Sequence, residues 1–105
     1  MPFDASFAQL PDQTVEVKLN GTMTLGTTLK LFESQLRSTL SDGTRHVFLD
    51  MESLTYMDSA GLGLLVFTSA EISNRGGTLT LRGVNQRIRD LLHLTRTDTL
   101  LRFEP

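Results

Sequence analysis

Cysteine and tryptophan are both missing from this 105-residue chain, and lysine occurs only twice, as Lys18 and Lys30. Without cysteine there are no disulfides and no thiolate metal sites. Long apolar runs are missing too. Leu62 to Phe67, interrupted by Gly63, is far short of the roughly 20 residues that a membrane-spanning helix needs. The opening Met1-Pro2-Phe3-Asp4-Ala5 has neither the basic region nor the apolar stretch of a signal peptide. The expectation is a cytoplasmic protein with no direct membrane insertion. Nor is there an excess of positive charge: 10 basic against 12 acidic residues leave a net charge of −2 and a sequence pI near 5.6. That balance argues against a dedicated nucleic-acid binder.

What the chain does have is enough length for one domain, expected over residues 1–105, with roughly two-thirds of the unfolded surface buried. Charge is unevenly spread. From Arg75 onward six arginines face three acids, whereas residues 1–74 carry four basic residues and nine acids. This is either a solvated helix face or an arginine-bearing surface for an acidic partner.

Phe3, Ala5 and Phe7 alternate with polar residues, as do Val15, Val17 and Leu19, with a turn at Leu10-Pro11-Asp12-Gln13 between them. Asn20-Gly21 breaks the second run. Leu29, Phe32, Leu36 and Leu40 mark an amphipathic helix from Thr27, ended by Ser41-Asp42-Gly43. His46 to Asp50 reads as a strand buried on both faces. A second helix is expected from about Ser59 to Arg75, closed by Gly76-Gly77. A strand over Thr78–Arg82 and a helix from about Asn85 to Leu94 follow. The tail from Asp98 to Phe103 is a short helix or a short strand. The order predicts a single α/β domain with a mixed sheet of about four to five strands and amphipathic helices packed against it. Helix-linked strands should be parallel, and binding surfaces form at their carboxyl ends. Residues 51–62 lie at one such end.

There, Met57-Asp58-Ser59-Ala60-Gly61-Leu62-Gly63 turns from a post-strand loop into a helix. Asp58 or Ser59 can cap it by accepting a backbone N–H bond. Glycine inside a helix costs about 0.5–1 kcal/mol relative to alanine, so Gly61 and Gly63 in one turn need a reason, and close approach by a partner supplies one. A phosphate on Ser59 would be tolerated, because free N–H groups and the helix dipole favour an anion. It would add about −1.5 to −2 charges without breaking the fold. Met51, Tyr56 and Met57 are either loop residues folded against the core or an adaptable apolar contact patch.

Val47-Phe48-Leu49-Asp50-Met51, followed seven residues on by Asp58-Ser59-Ala60-Gly61-Leu62-Gly63, resembles the signature of the STAS domain, the family of sulphate transporters and anti-sigma factor antagonists. The likeness continues through Asn74-Arg75-Gly76-Gly77-Thr78-Leu79 and through Arg87 to Leu94. In all it covers roughly residues 14–103. For a stand-alone bacterial member it implies a non-enzymatic anti-sigma factor antagonist that works by partner switching in transcription regulation. The unphosphorylated form would bind an anti-sigma factor serine kinase with a histidine-kinase-like ATPase fold. Phosphorylation of Ser59 would release it, and a metal-dependent phosphatase would restore binding. Asp58, Ser59, Ala60, Gly61, Leu62 and Gly63 would be the partner-binding positions. The resemblance leaves two alternatives, a STAS subunit of a phospholipid ABC transporter, suggested by Leu81-Arg82-Gly83-Val84-Asn85, and control of a non-transcriptional pathway. The sequence departs from the family pattern at Gly21-Thr22-Met23-Thr24, where Gly-Glu-Leu-Asp is common, and at Arg96, where glycine is usual.

Enzyme chemistry finds little support. A receiver domain needs an acidic pair after its first strand and a late lysine, and neither is present. A nucleophile elbow needs glycine two residues before Ser59, where Met57 stands. His46 and His93 are the available bases and read as packing or surface residues. Val66 occupies the third glycine position of a dinucleotide fingerprint, and there is no P-loop. Asp50, Glu52 and Asp58 could gather around a cation, but no histidine or further acid joins them at motif spacing. No cofactor or metal is expected.

Overall fold

The chain reverses at Pro11-Asp12-Gln13, where Asp12 and Gln13 take φ values of 62° and 58°. Strand β1 (Asp4–Leu10) thereby returns as β2 (Thr14–Met23) in unbroken antiparallel register, from Asp4 opposite Asn20 to Leu10 opposite Thr14. The computed structural model describes residues 2–104, so Met1 and Pro105 of the expected domain lie outside the described residues. The Gln13 carbonyl then accepts from the amides of Arg45 and His46, which fixes the hairpin turn to the start of β3 (His46–Met57).

Three helices link the remaining strands. α1 (Thr27–Ser41) joins β2 to β3, α2 (Ser59–Asn74) joins β3 to β4 (Thr78–Arg82), and α3 (Gln86–Leu94) leads through a 3-10 turn at Thr97–Leu100 into β5 (Arg102–Phe103). Strands β1 to β5 stand side by side in sequence order, antiparallel at β1/β2 and parallel thereafter. The mixed α/β sheet expected from the sequence is therefore present, with five strands. The undecided tail is both a helical turn and a strand.

Alternation sets the core. Val15, Val17 and Leu19 of β2, Val47, Leu49 and Met51 of β3, and Leu79 and Leu81 of β4 are buried in one cluster with the inner faces of the helices. Phe32 of α1 takes Phe3 edge-on, with ring centroids 5.4 Å apart. α2 buries Leu62, Leu64, Leu65, Thr68 and Ile72, so it is apolar around most of its girth, as a helix wedged between neighbours must be. The other side of the sheet is polar. There Arg82 lies over the Phe48 ring at 4.1 Å and pairs with both Glu16 and Glu104, tying β2, β4 and the residue after β5 together.

Two expectations are corrected. β2 does not stop at Asn20-Gly21 but runs to Met23, and β3 does not end at Asp50 but runs to Met57. In β2 alternate burial continues through Gly21 and Met23, and Asn20-Gly21 only looks like a turn. In β3 the register shifts opposite Lys18/Asn20 and Gly21/Thr22 each insert an extra residue, so its two-residue alternation is lost after Met51 while the pairing continues. Gly21 allows this with φ of +88°, and a Cβ there would fall 1.9 Å from the Pro2 carbonyl oxygen. Residues 51–57 are thus strand rather than loop. Met51 and Met57 are core, while Tyr56 is 45 % exposed.

Arg96, the departure from the family's glycine, follows α3 with φ of +59° and donates its amide to the His93 carbonyl. This is the left-handed position after a helix that glycine fills without a Cβ penalty. Arg96→Gly is expected to raise the unfolding free energy by about 0.5–1 kcal/mol, measured by urea denaturation with an unchanged m-value.

Candidate functional site

The carboxyl ends of β2 and β3 lie side by side, with Thr22 opposite Tyr56 and Met23 opposite Met57. The chain leaves β3 directly into α2 through Asp58, whose φ of −97° and ψ of −173° are extended. Asp58 is the helix cap. Its Oδ1 accepts from the amides of Ala60 and Gly61, both at 3.0 Å. Its Oδ2 accepts from the amide of Leu25 at 2.9 Å, and its own amide donates to the Met23 carbonyl at 3.2 Å. One residue therefore closes the first turn of α2 and ties it to the loop between β2 and α1. These donors, Leu25 first and Gly61 next, hold the Asp58 carboxyl below its ordinary range against the opposing effect of burial.

Because Asp58 does the capping, Ser59 is left free. It is the first residue of α2, it is exposed, and among the described residues nothing bonds to its hydroxyl. Ser59, Gly63 and Phe67 are exposed at four-residue intervals, so they form one stripe along α2, headed by Ser59.

The two glycines of the first turn have different causes. A Cβ on Gly61 would fall 2.5 Å from the Met23 carbonyl oxygen, so this glycine lets α2 rest on the end of β2. A Cβ on Gly63 would meet nothing within 4 Å. The expectation that both leave the turn bare for a partner is corrected for Gly61, which is buried against β2. Leu62 is only 8 % exposed. Of the six sequence candidates, Ser59 and Gly63 reach the surface and Ala60 does so in part. Asp58, Gly61 and Leu62 hold the turn in shape.

A groove lies on each side of α2. Toward α1, about 290 Å³ is lined by Leu25, Leu29, Ala60, Gly63, Leu64 and Phe67. Toward α3, a wider groove of about 770 Å³ includes Tyr56, Ser59, Leu62, Arg87, Leu91 and Leu94. Leu25, Phe67 and Leu94 are 74 %, 56 % and 80 % exposed, which is unusual for large apolar side chains grouped around one turn. Sequence reasoning missed these three. The spacing of Phe67 from Ser59 and Gly63 was the available signal for one of them.

Thr24, where the family commonly has aspartate, is bracketed by Met23 and Leu25, both bonded to Asp58. The family acid would stand beside this turn, and here the position is neutral. Among the described residues no three acidic or histidine side chains are grouped to hold a metal ion. The Asp58 oxygens are occupied by backbone amides, and Asp50 Oδ1 accepts from the Glu52 amide. No helix of the described residues is long and apolar enough to cross a membrane.

Comparison with known proteins agrees with this geometry. The family model described as "Mlab, STAS domain" matches residues 6–102. The anti-sigma-B factor antagonist of Staphylococcus aureus is 36 % identical over 90 residues, which span 86 % of this chain and 82 % of that protein. A putative anti-sigma factor antagonist from Thermotoga maritima has the same fold, with TM-score 0.82 and 24 % identity over 96 % of this chain and 84 % of its own. The anti-sigma factor antagonist SpoIIAA in its unphosphorylated form superposes with TM-score 0.78 and 16 % identity over 97 % of this chain and 88 % of its own.

The Asp58 geometry sets a mutational and pH signature. Asp58→Ala should cost about 1–2 kcal/mol through loss of the cap. Asp58→Asn keeps an acceptor for Ala60 and Gly61 but loses one for Leu25, and should cost less. Because the folded carboxyl is held low, its contribution is full above the unfolded value near 4 and is lost as pH falls through the folded value. Urea unfolding from pH 6 to pH 2 should show a slope in the wild type that Asp58→Asn reduces.

Proposed function

This chain belongs to the STAS domain family, and on that premise we propose that it is an anti-sigma factor antagonist switched by phosphorylation of Ser59. The observation that carries the reading is the unpartnered Ser59 hydroxyl at the head of an exposed stripe on α2, left free because Asp58 performs the capping. In the unphosphorylated state the partner, an anti-sigma factor serine kinase, lies along Ser59, Gly63 and Phe67 and covers Leu25 in the adjoining groove. The match to the S. aureus anti-sigma-B factor antagonist supports an anti-sigma factor as the partner.

Phosphorylation acts through placement. A phosphoserine brings about −1.5 to −2 charges to the start of α2. Ala60, Gly61 and Leu62 already donate their amides to Asp58, so the phosphate is accommodated by solvent and by the dipole at the start of α2, and the fold remains while a neutral contact becomes anionic and hydrated. A metal-dependent phosphatase reverses the change. The protein itself performs no catalysis in this scheme and works in the cytoplasm as the single domain 1–105.

A transporter-subunit role draws on the neutral Thr22 and Thr24. Its other support weakens on inspection, because Leu81-Arg82-Gly83-Val84-Asn85 is occupied with the fold. Leu81 and Val84 are buried, Arg82 pairs with Glu16 and Glu104, and Asn85 caps α3 by accepting from the Ile88 amide.

Incubation with ATP, magnesium and each kinase-type anti-sigma factor of the same genome should place one phosphate on Ser59, located by mass spectrometry, with loss of the complex. Ser59→Asp should weaken that complex on the order of 100-fold, equivalent to about 2.7 kcal/mol, by calorimetric titration. Tight binding by Ser59→Asp would sink the switch. Gly63→Leu should leave the unfolding midpoint unchanged or raised, yet weaken the complex. Gly61→Ala should lower stability by about 1–3 kcal/mol through its clash with β2.

A further inference from the structure

Ser59 opens onto the groove between α2 and α3, and one cationic side chain lines that groove, Arg87 of α3. Its situation differs from that of four other arginines, while Arg75, Arg96 and Arg102, which likewise have no side-chain partner among the described residues, do not line this groove. Arg82 is clamped between two glutamates, Arg37 pairs with Glu33, Arg45 donates to the Gly76 carbonyl, and Arg89 lies over Phe103. Arg87 is exposed, and among the described residues it has no hydrogen-bond or ion-pair partner. The acids along the groove are already engaged. Asp58 is bonded to backbone amides, and Asp90 accepts from the Gln86 side chain at 2.8 Å. The floor and far rim are apolar, with Leu62, Leu91 and Leu94.

We propose that Arg87 is the intramolecular receptor for phosphorylated Ser59, pairing with the phosphate across the groove so that modification also bridges α2 to α3 over the apolar lining. This deepens the reading of Ser59 as the modified residue and rests on it. A guanidinium offers a planar pair of donors to phosphate oxygens, and the free hydroxyl and the free cation already face the same space. Modification then does two things. It adds charge at the head of the α2 stripe, and it draws a cation and a phosphate together over the groove that holds Leu62 and Leu91. A partner would have to break that pair before reaching the groove.

The test needs no kinase, because phosphoserine can be installed at position 59 during synthesis. The second ionisation of the phosphate, near pH 6 in an unpaired phosphoserine, is followed by phosphorus NMR. The groups facing it are Arg87, which favours the dianion, and Asp58, Asp90 and Tyr56. The two carboxylates oppose it equally in each variant. Arg87→Gln is expected to raise the proton affinity of the phosphate about 3- to 10-fold, and 0.5 M salt should shrink the difference. Arg89→Gln, on the same helix but over Phe103, should leave the titration unchanged. The Arg87 Nε–H signal should move when position 59 carries phosphate. Identical titrations of the wild-type and Arg87→Gln proteins would overturn the pairing, as would an equal shift from Arg89→Gln. Failure of any kinase to modify Ser59 would instead count against the switch, and the NMR result would stand apart from it.

Discussion

A single carboxylate holds the working end of this domain together. Asp58 spends both side-chain oxygens on backbone amides, two from the helix it begins and one from the loop after β2. The Ala60 and Gly61 amides are partly buried and would otherwise lack a partner, and an unmet buried donor costs about 1–3 kcal/mol. The Leu25 amide is exposed, and its bond serves to place the loop. The cap therefore shapes α2 and also sets where the β2–α1 loop stands relative to it. Leu25, the most remote of the three donors in sequence, is carried to the α2 surface by that bond. The apolar lining of the α1–α2 groove depends on the same carboxylate that releases Ser59.

Much of the architecture was legible in the sequence because periodicity reports burial directly. The leucines and Phe32 of α1, the valines of β2 and the Gly76-Gly77 stop after α2 each carried a local signal that tertiary structure did not override. The carboxyl halves of β2 and β3 were not legible, for different reasons: burial in β2 keeps its alternation through Gly21 and Met23, but Asn20-Gly21 reads locally as a turn. In β3 the pairing slips, and burial moves from every second residue to Met51, Leu54 and Met57. No alternation remains for a reader of one sequence to find. The tail was ambiguous for a related reason, since a four-residue turn and a two-residue strand are each too short to show a period.

At the site, the sequence placed the Asp-Ser-Ala-Gly-Leu-Gly segment at the start of α2 but not the separate roles of its residues in the fold. Sequence alone could not say which of Asp58 and Ser59 caps the helix, since both residue types do so. It could not separate Gly61 from Gly63 either, because the difference lies in Met23, 38 positions before Gly61. Contacts that join residues so far apart in the chain leave no mark in local composition. The six candidates thus divide into a scaffold and a surface only when the end of β2 is seen beneath α2.

On the proposed reading, Gly63 is also a place where partner choice can be set. Proteins that share a fold need a position at which surface shape can change without disturbing the framework. Beside an exposed serine, where a Cβ would meet nothing within 4 Å, side chains other than proline fit the helix and improve on glycine by up to about 1 kcal/mol of helix propensity. The bare position is then an unwritten address. A single substitution there would change the surface that α2 presents while leaving Asp58, Gly61 and the end of β2 as they are.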